Sequence, residues 1–141
     1  MSDLSPDYFI SCDPSLLQVD SVVEMLRGTY WANQRAPELI RASLANSVCF
    51  GVYSVVGHAQ VGFARVITDK LTFSWLCDVV IDAAHRRRGL GKALVSTVLN
   101  HPDLCHTTFQ LRTLDAHGLY QRYGFAPCET LKRSGKPPPS T

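Results

Sequence analysis

One short basic segment is the part of this 141-residue chain whose residue types are best suited to binding chemistry. The stretch from Arg86 to Lys92 holds three arginines, one lysine and two glycines. Apolar residues before it indicate a strand, and Leu90, Leu94 and Val98 indicate a helix after it. Glycines let a ligand approach the backbone, while the free N–H groups and the dipole of a helix start attract negative charge. This arrangement predicts a site for a diphosphate group.

Two other nucleotide-binding motifs do not fit this segment. A P-loop requires Gly at position 86 and Ser or Thr at position 93, where the chain has Arg86 and Ala93. A dinucleotide fingerprint requires a small residue in place of Leu94, and the preceding strand is expected to end an antiparallel meander without opening a βαβ unit. The formal net charge of +2 is too small to indicate a nucleic-acid partner.

Hydrophobic periodicity predicts the elements that must position this turn. Gly57 and His58 are expected to connect a hairpin, and Gly124 is expected to close the last helix in a left-handed conformation. The predicted strands span residues 7–11, 48–56, 61–68, 71–81 and 107–113, with a last strand beginning at Phe125; the predicted helices span about 16–28, about 37–44, 89–100 and 115–123.

This order of elements predicts an α/β sandwich around a mixed, mainly antiparallel sheet. No internal repeat or linker interrupts the pattern, so residues 1–132 are expected to form one domain. Residues 133–141 have no apolar side chains to bury and are expected to form a flexible tail.

Composition narrows the class of protein. Hydrophobic residues make up 45% and charged residues 18% of the chain, which is typical of a soluble globular protein and gives no indication of a membrane partner. The five cysteines include no Cys-x-x-Cys pair, and the N-terminus lacks the pattern of a secretory signal, so free thiols and a cytoplasmic location are expected. His101, Cys105 and His106 have poor ligand spacing, and no metal site is expected.

Two motifs together resemble the GNAT superfamily of N-acetyltransferases. The basic turn matches the family pattern of Arg or Gln, two residues, Gly, one residue, then Gly or Ala, and the segment Leu119–Phe125 resembles the pattern Leu-Tyr-x-Lys-x-Gly-Phe. The resemblance extends from about residue 5 to residue 130. It implies a sandwich with about six to seven strands and four helices. The implied activity is transfer of an acetyl group from acetyl-coenzyme A to a primary amine, through direct attack and a tetrahedral intermediate.

The resemblance also implies catalytic roles, each with a structural alternative. Tyr120 matches the tyrosine that protonates the departing thiolate, although its position is equally compatible with core packing. Asp78 lies where some antibiotic-modifying relatives carry an acidic residue that binds or deprotonates the amine. A carboxylate in an apolar strand needs a partner or a function, and a hydrogen-bonded structural role stays open.

Further residues are implied to contact the two substrates. Tyr30, Trp31 and Arg35 lie in a region that borders the acceptor site in relatives, although core packing explains the two aromatic residues equally well. Thr113 stands where many relatives have Asn, so His117 and its neighbours are expected to supply part of the coenzyme contacts. The implied coenzyme-binding residues are Val79, Val80, Ile81, Arg86, Arg87, Arg88, Gly89, Leu90, Gly91, Lys92, Thr113 and His117.

The sequence leaves several alternatives open. The acceptor is a small molecule or a peptide of undetermined identity, since no stretch of the chain specifies it. A coenzyme A-binding sensor or interaction module without turnover is the second functional hypothesis, because a fold by itself does not establish chemistry. A homodimer is expected only because relatives commonly form one.

Overall fold

The computed structural model describes residues 4–137 and contains four α-helices and one five-stranded sheet in that range. The strands are β1 (Tyr8–Ser11), β2 (Val48–Ser54), β3 (Gln60–Thr68), β4 (Phe73–Ile81) and β5 (Thr108–Gln110). The helices are α1 (Val19–Arg27), α2 (Pro37–Leu44), α3 (Leu90–Asn100) and α4 (His117–Gln121), and short 3-10 turns occur at Pro14–Leu16 and Ala83–His85.

The sheet has the strand order of the sequence, β1 to β5. The first four strands are antiparallel, and β5 lies parallel to β4. Both residues of the predicted hairpin turn, Gly57 and His58, have positive φ angles, which suits the tight connection between β2 and β3. The prediction of a mixed, mainly antiparallel sheet with four helices is therefore confirmed.

The predicted number of strands is wrong. The sheet has five strands, because no strand begins at Phe125 and residues 122–137 contain no helix or strand. Phe125 packs against the core beside Tyr120, but Pro127 cannot donate to a strand ladder and residues 126–137 are exposed, with Leu131 at 97%. The chain beyond Phe125 therefore neither pairs nor buries apolar surface. Of the tail expected at residues 133–141, residues 138–141 lie outside the described range.

The basic turn lies inside a βαβ unit. Because β5 pairs in parallel with β4 and α3 connects them, β4 both ends a meander and opens a βαβ unit. The expectation that no such unit follows was wrong. The distinction from a dinucleotide fingerprint therefore depends on Leu94, a fully buried residue of α3.

The sheet is covered on both faces, and this is what buries β4. One core lies against α3 and α4, and includes Phe50, Leu94 and Tyr120. The other lies against α1 and α2, and includes Leu26 and Phe63. In residues 4–137, no helix is long and apolar enough to cross a membrane.

Candidate active site

Strand β4 carries a β-bulge at Asp78. Its pairing with β3 shifts by one residue between Phe63 and Arg65, so that Asp78 and Val79 together face Ala64. Asp78 has a φ of +57°, a left-handed conformation that aspartate tolerates better than most residues. As a result, Val79 packs with the core beneath α3, whereas the Asp78 carboxylate points to the side of α1 and α2.

Strands β4 and β5 separate after a short parallel stretch. Phe73–Trp75 pair with Thr108–Gln110, and the structure shows no pairing between the two strands beyond these residues although β4 continues to Ile81. The β5-facing edge of Val79–Ile81 therefore has no strand partner in the described part of the chain. An exposed strand edge can pair with an extended ligand that carries amide groups.

The basic turn presents a series of free backbone donors. From Arg87 to Lys92, six successive N–H groups have no hydrogen-bond partner among residues 4–137, and the first bond of α3 runs from Ala93 N to Gly89 O at 3.1 Å. Arg87 and Gly89 have φ angles of +65° and +75°, which suits a concave turn of N–H groups. A Cβ atom on Gly91 would meet nothing within 4 Å. This open, donor-rich helix start fits a diphosphate group.

Two of the basic side chains hold this turn in place. Arg86 Nε donates to the Ile81 carbonyl at 3.1 Å, and Arg88 Nη1 donates to the Tyr8 hydroxyl at 3.0 Å. That hydroxyl also lies 2.8 Å from His85 Nδ1. The turn is thus anchored to both β4 and β1, and the backbone donors are left as its main free binding groups.

A hydrogen bond joins the two sequence motifs. The Tyr123 hydroxyl, which follows α4, donates to the Lys92 carbonyl in the first turn of α3 at 2.9 Å. Gly124 has a φ of +88°, and Phe125 N bonds back to Tyr120 O at 3.2 Å, which confirms the predicted left-handed end of α4. These contacts fix Tyr120 relative to the basic turn.

The Asp78 carboxylate is surrounded by donors. Oδ2 accepts hydrogen bonds from Arg35 Nη1 at 2.8 Å and Arg65 Nε at 2.9 Å, and Oδ1 accepts one from Trp31 Nε1 at 3.1 Å. Burial alone would raise the pKa of Asp78, but the hydrogen bonds and charges of the two arginines outweigh it and lower the pKa below its ordinary value. A carboxylate held in this way is a weak proton acceptor near neutral pH. The contacts favour the structural interpretation of Asp78 over that of general base.

Tyr120 is 8% exposed, and its hydroxyl has no hydrogen-bond partner among the described residues. In that part of the chain, the only fully buried side-chain polar atom without a partner is the Tyr53 hydroxyl, so the Tyr120 hydroxyl reaches solvent. Burial raises the pKa of Tyr120 to about 12, with smaller contributions from Asp115 and Tyr30. Tyr120 is therefore a protonated donor throughout the physiological pH range. Its role in proton transfer stays a prediction.

The predicted acceptor residues converge on the same region. Trp31 and Arg35 bind Asp78, and Tyr30 packs edge-on against Trp31 with ring centroids 5.0 Å apart. The Tyr30 hydroxyl accepts a bond from Leu114 N at 3.4 Å. The connection between α1 and α2 therefore spans from the β4 bulge to the loop before α4.

Thr113 and His117 occupy the approach to α4. The Thr113 hydroxyl accepts a hydrogen bond from Ala116 N at 3.1 Å and so stabilises this loop. Both residues line a groove of about 1400 Å³, together with Tyr120, β5 and the segment after Phe125. No residue of the bulge or the basic turn lines this groove. The groove thus reaches Tyr120 from the β5 side, and the contacts of Thr113 and His117 with a coenzyme stay predictions.

Sequence reasoning missed Arg65, Tyr8 and Tyr123. Arg65 is the one charged residue of strand β3, and apolar residues flank it on both sides. Its Nη1 also donates to Ser47 Oγ at 3.1 Å. That isolated charge was a visible signal, since a charge in a buried strand requires a partner. The hydroxyl contacts of the two tyrosines had no local signal.

Cysteine chemistry gives no alternative site. Burial raises the pKa of Cys77 to about 11, and the thiol is therefore protonated and unreactive near neutral pH. Across residues 4–137, the cysteines are free and no group of three or more potential ligands is arranged to hold a metal ion.

Comparisons with known proteins show which family and which fold the chain resembles. The family model described as "Acetyltransferase (GNAT) domain" matches residues 46–127. A proposed acetyltransferase of Gibberella zeae is 33% identical over 67% of this chain, and the match spans 63% of that relative. The crystal structure of a proposed GNAT-family acetyltransferase from Xanthomonas campestris has a TM-score of 0.85 and 40% identity, covering 92% of this chain and 94% of the other. A Deinococcus radiodurans structure with 21% identity shares the fold, with a TM-score of 0.70 and coverage of 95% and 93%.

Proposed function

The chain belongs to the GNAT family of acetyltransferases, and on that premise we propose that it is an N-acetyltransferase. The proposed donor is acetyl-coenzyme A, and the acceptor is a primary amine of a small molecule or peptide. One observation carries the proposal: the free edge of Val79–Ile81, where β4 and β5 separate, leads directly to the free N–H groups of the basic turn.

These two features suit the two parts of the coenzyme. The free N–H groups from Arg87 to Lys92 would bind the diphosphate, because helix starts and concave backbone turns favour anions. The free edge of Val79–Ile81 would pair with the amide groups of the pantetheine arm. The thioester would then lie near the bulge, and the Val79 N–H would donate to its carbonyl oxygen. A donor aimed at this oxygen stabilises the negative charge of the tetrahedral intermediate.

Tyr120 would assist departure of the sulfur. Its hydroxyl is free and protonated, and it is held relative to the basic turn by the Tyr123 contact. The pKa of about 12 lies above that of a thiol, about 8.5, so complete proton transfer to the thiolate is unfavourable. Tyr120 would therefore act mainly as a hydrogen-bond donor to the sulfur as negative charge develops there.

Asp78 would position the site without accepting a proton. Its bonds to Arg35, Arg65 and Trp31 tie the bulge of β4 to β3 and to the connection between α1 and α2. The attacking amine would then lose its proton to solvent. The reaction rate would rise with pH up to the pKa of the amine itself.

The test is calorimetric titration with acetyl-coenzyme A, followed by a thiol-release assay over a panel of primary amines. Saturable binding together with amine-dependent thiol release supports the proposal. Binding without turnover for every amine would instead support the coenzyme A-binding sensor, and absence of binding would refute both.

A further inference from the structure

The cluster around Asp78 has an unbalanced positive charge. Arg35 and Arg65 share the carboxylate of Asp78. The side chain of Arg35 is 25% exposed, that of Arg65 is 13% exposed and that of Asp78 is 2% exposed. In residues 4–137, neither guanidinium group forms an ion pair with any carboxylate other than that of Asp78. The cluster therefore carries a net charge of about +1 in a partly buried place, where an unpaired charge is costly.

Arg35 has donors to spare. A guanidinium group has five N–H donors, and the structure shows one hydrogen bond for that of Arg35, from Nη1 to Asp78. The remaining nitrogen atoms are not fully buried, since the Tyr53 hydroxyl is the one fully buried side-chain polar atom without a partner in residues 4–137. Arg65 is more enclosed and is held additionally by Ser47. The free positive charge of the cluster is thus presented by Arg35.

Arg35 also lies close to the proposed site of acetyl transfer. Its partner Asp78 directly precedes Val79 in the bulge. The half-exposed rings of Tyr30 and Trp31 extend from Asp78 toward the loop that precedes α4. A ligand whose amine lies near Val79 can therefore place a second group beside Arg35.

We propose that the acceptor amine carries an anionic group, a carboxylate or a phosphate, and that Arg35 binds this group. The inference rests on the proposed function and specifies the substrate class of that site. A guanidinium group binds a carboxylate or a phosphate through two parallel hydrogen bonds. The anion of the ligand would neutralise the one positive charge that remains after Asp78 has neutralised the other. Tyr30 and Trp31 would provide the apolar flank between the anion and the amine.

The experiment compares matched ligands that differ in this charge. Amino acids are paired with their C-terminal amides, and O-phosphoethanolamine is paired with ethanolamine. Binding to the protein saturated with coenzyme A is measured by calorimetry, and kcat/KM is measured by thiol release. For the wild type, we expect an anionic member of the panel to bind about 10- to 100-fold tighter than its neutral partner, as expected for a hydrogen bond between charged groups. The amino acid and phosphate arms identify which anion is preferred.

Arg35→Gln should bring this ratio close to one, and Arg35→Lys should retain part of it. Arg41→Gln, which removes a surface arginine paired with Asp20, is the matched control and should keep the full ratio. A purely structural Arg35 would affect both members of a pair equally. Equal or absent binding for all pairs, or a preference that survives Arg35→Gln, would overturn the inference.

The two proposals fail separately. Acetylation of neutral and anionic amines at equal rates would overturn the anionic acceptor and leave the acetyltransferase intact. Anion-dependent binding without thiol release would support the anion site and refute the proposed catalysis.

Discussion

Replacing Tyr120 by Phe removes a hydroxyl that has no hydrogen-bond partner among the described residues. The pKa of about 12 exceeds that of a thiol by about 3.5 units, so full proton transfer would cost about 5 kcal/mol. A hydrogen bond to the developing thiolate is worth about 1.5–3 kcal/mol. We therefore expect kcat to fall about 10- to 150-fold at saturating acetyl-coenzyme A. The free energy of unfolding should change by no more than about 0.5 kcal/mol, since no protein partner is lost.

Tyr53→Phe is the matched control. Burial raises the pKa of Tyr53 to about 12 as well, but its hydroxyl is enclosed and has no partner in residues 4–137. Removing this hydroxyl should leave kcat unchanged. It should raise the free energy of unfolding by about 1–3 kcal/mol, because a buried polar group without a partner is lost.

The assays are thiol release with the best acceptor of the panel, calorimetry with acetyl-coenzyme A, and thermal unfolding. Because Tyr120 stays protonated well above neutral pH, the ratio of wild-type to Tyr120→Phe rates should be constant between about pH 6 and pH 9. A kcat for Tyr120→Phe within twofold of wild type would refute the role of this hydroxyl.

Three further perturbations test the rest of the site. Gly91→Glu should weaken acetyl-coenzyme A binding at least about tenfold in calorimetry, because a carboxylate at this position repels a diphosphate. The fold should be preserved, because a negative charge at a helix start suits the helix dipole. Gly135→Glu adds the same charge outside the site and should leave the affinity unchanged. Asp78→Asn should lower the free energy of unfolding by about 3–5 kcal/mol, measured by denaturant, because it leaves two arginines without their carboxylate. Because the pKa of Asp78 is lowered in the folded state, its stabilisation is present above about pH 4 and is lost as the pH falls below the folded pKa. The difference in unfolding free energy between wild type and Asp78→Asn should therefore shrink in acid. If the ratio of their acetylation rates varied with pH near neutrality, Asp78 would be the general base after all. Arg65→Lys should destabilise the protein by about 1–2 kcal/mol in denaturant unfolding, because an ammonium group cannot bond both Asp78 and Ser47 with the geometry of a guanidinium group. Unchanged stability would show that these two contacts do not stabilise the fold.

Local sequence signals predicted the local structure well. The glycines at positions 57 and 124 have the conformations expected of them, because these depend on neighbouring residues. The strand expected from Phe125 depended on a partner strand and on continued apolar burial, but no strand pairs with this segment among residues 4–137, and burial ends at Phe125. Hydrophobic periodicity therefore located the elements that have an apolar face. It failed for the last strand, whose formation depends on pairing with another strand.

The candidate site shows the same division. The basic turn was visible as a contiguous segment, whereas the partners of Asp78 come from Trp31, Arg35 and Arg65, which are 13 to 47 residues away in sequence. The sequence showed that a buried Asp78 needed partners but not which residues supply them. The bulge that turns its carboxylate away from the α3 core results from strand pairing and had no signal in the residues.

The most direct test of the central claim uses acetyl-coenzyme A labelled in its acetyl group. The protein is incubated with this donor and the amine panel, and the products are analysed by mass spectrometry. Transfer of the label to the nitrogen of an amine, at a rate that depends on protein concentration and falls with Tyr120→Phe and Gly91→Glu, is the predicted result. Binding of the donor with no labelled amine in any reaction would contradict the account.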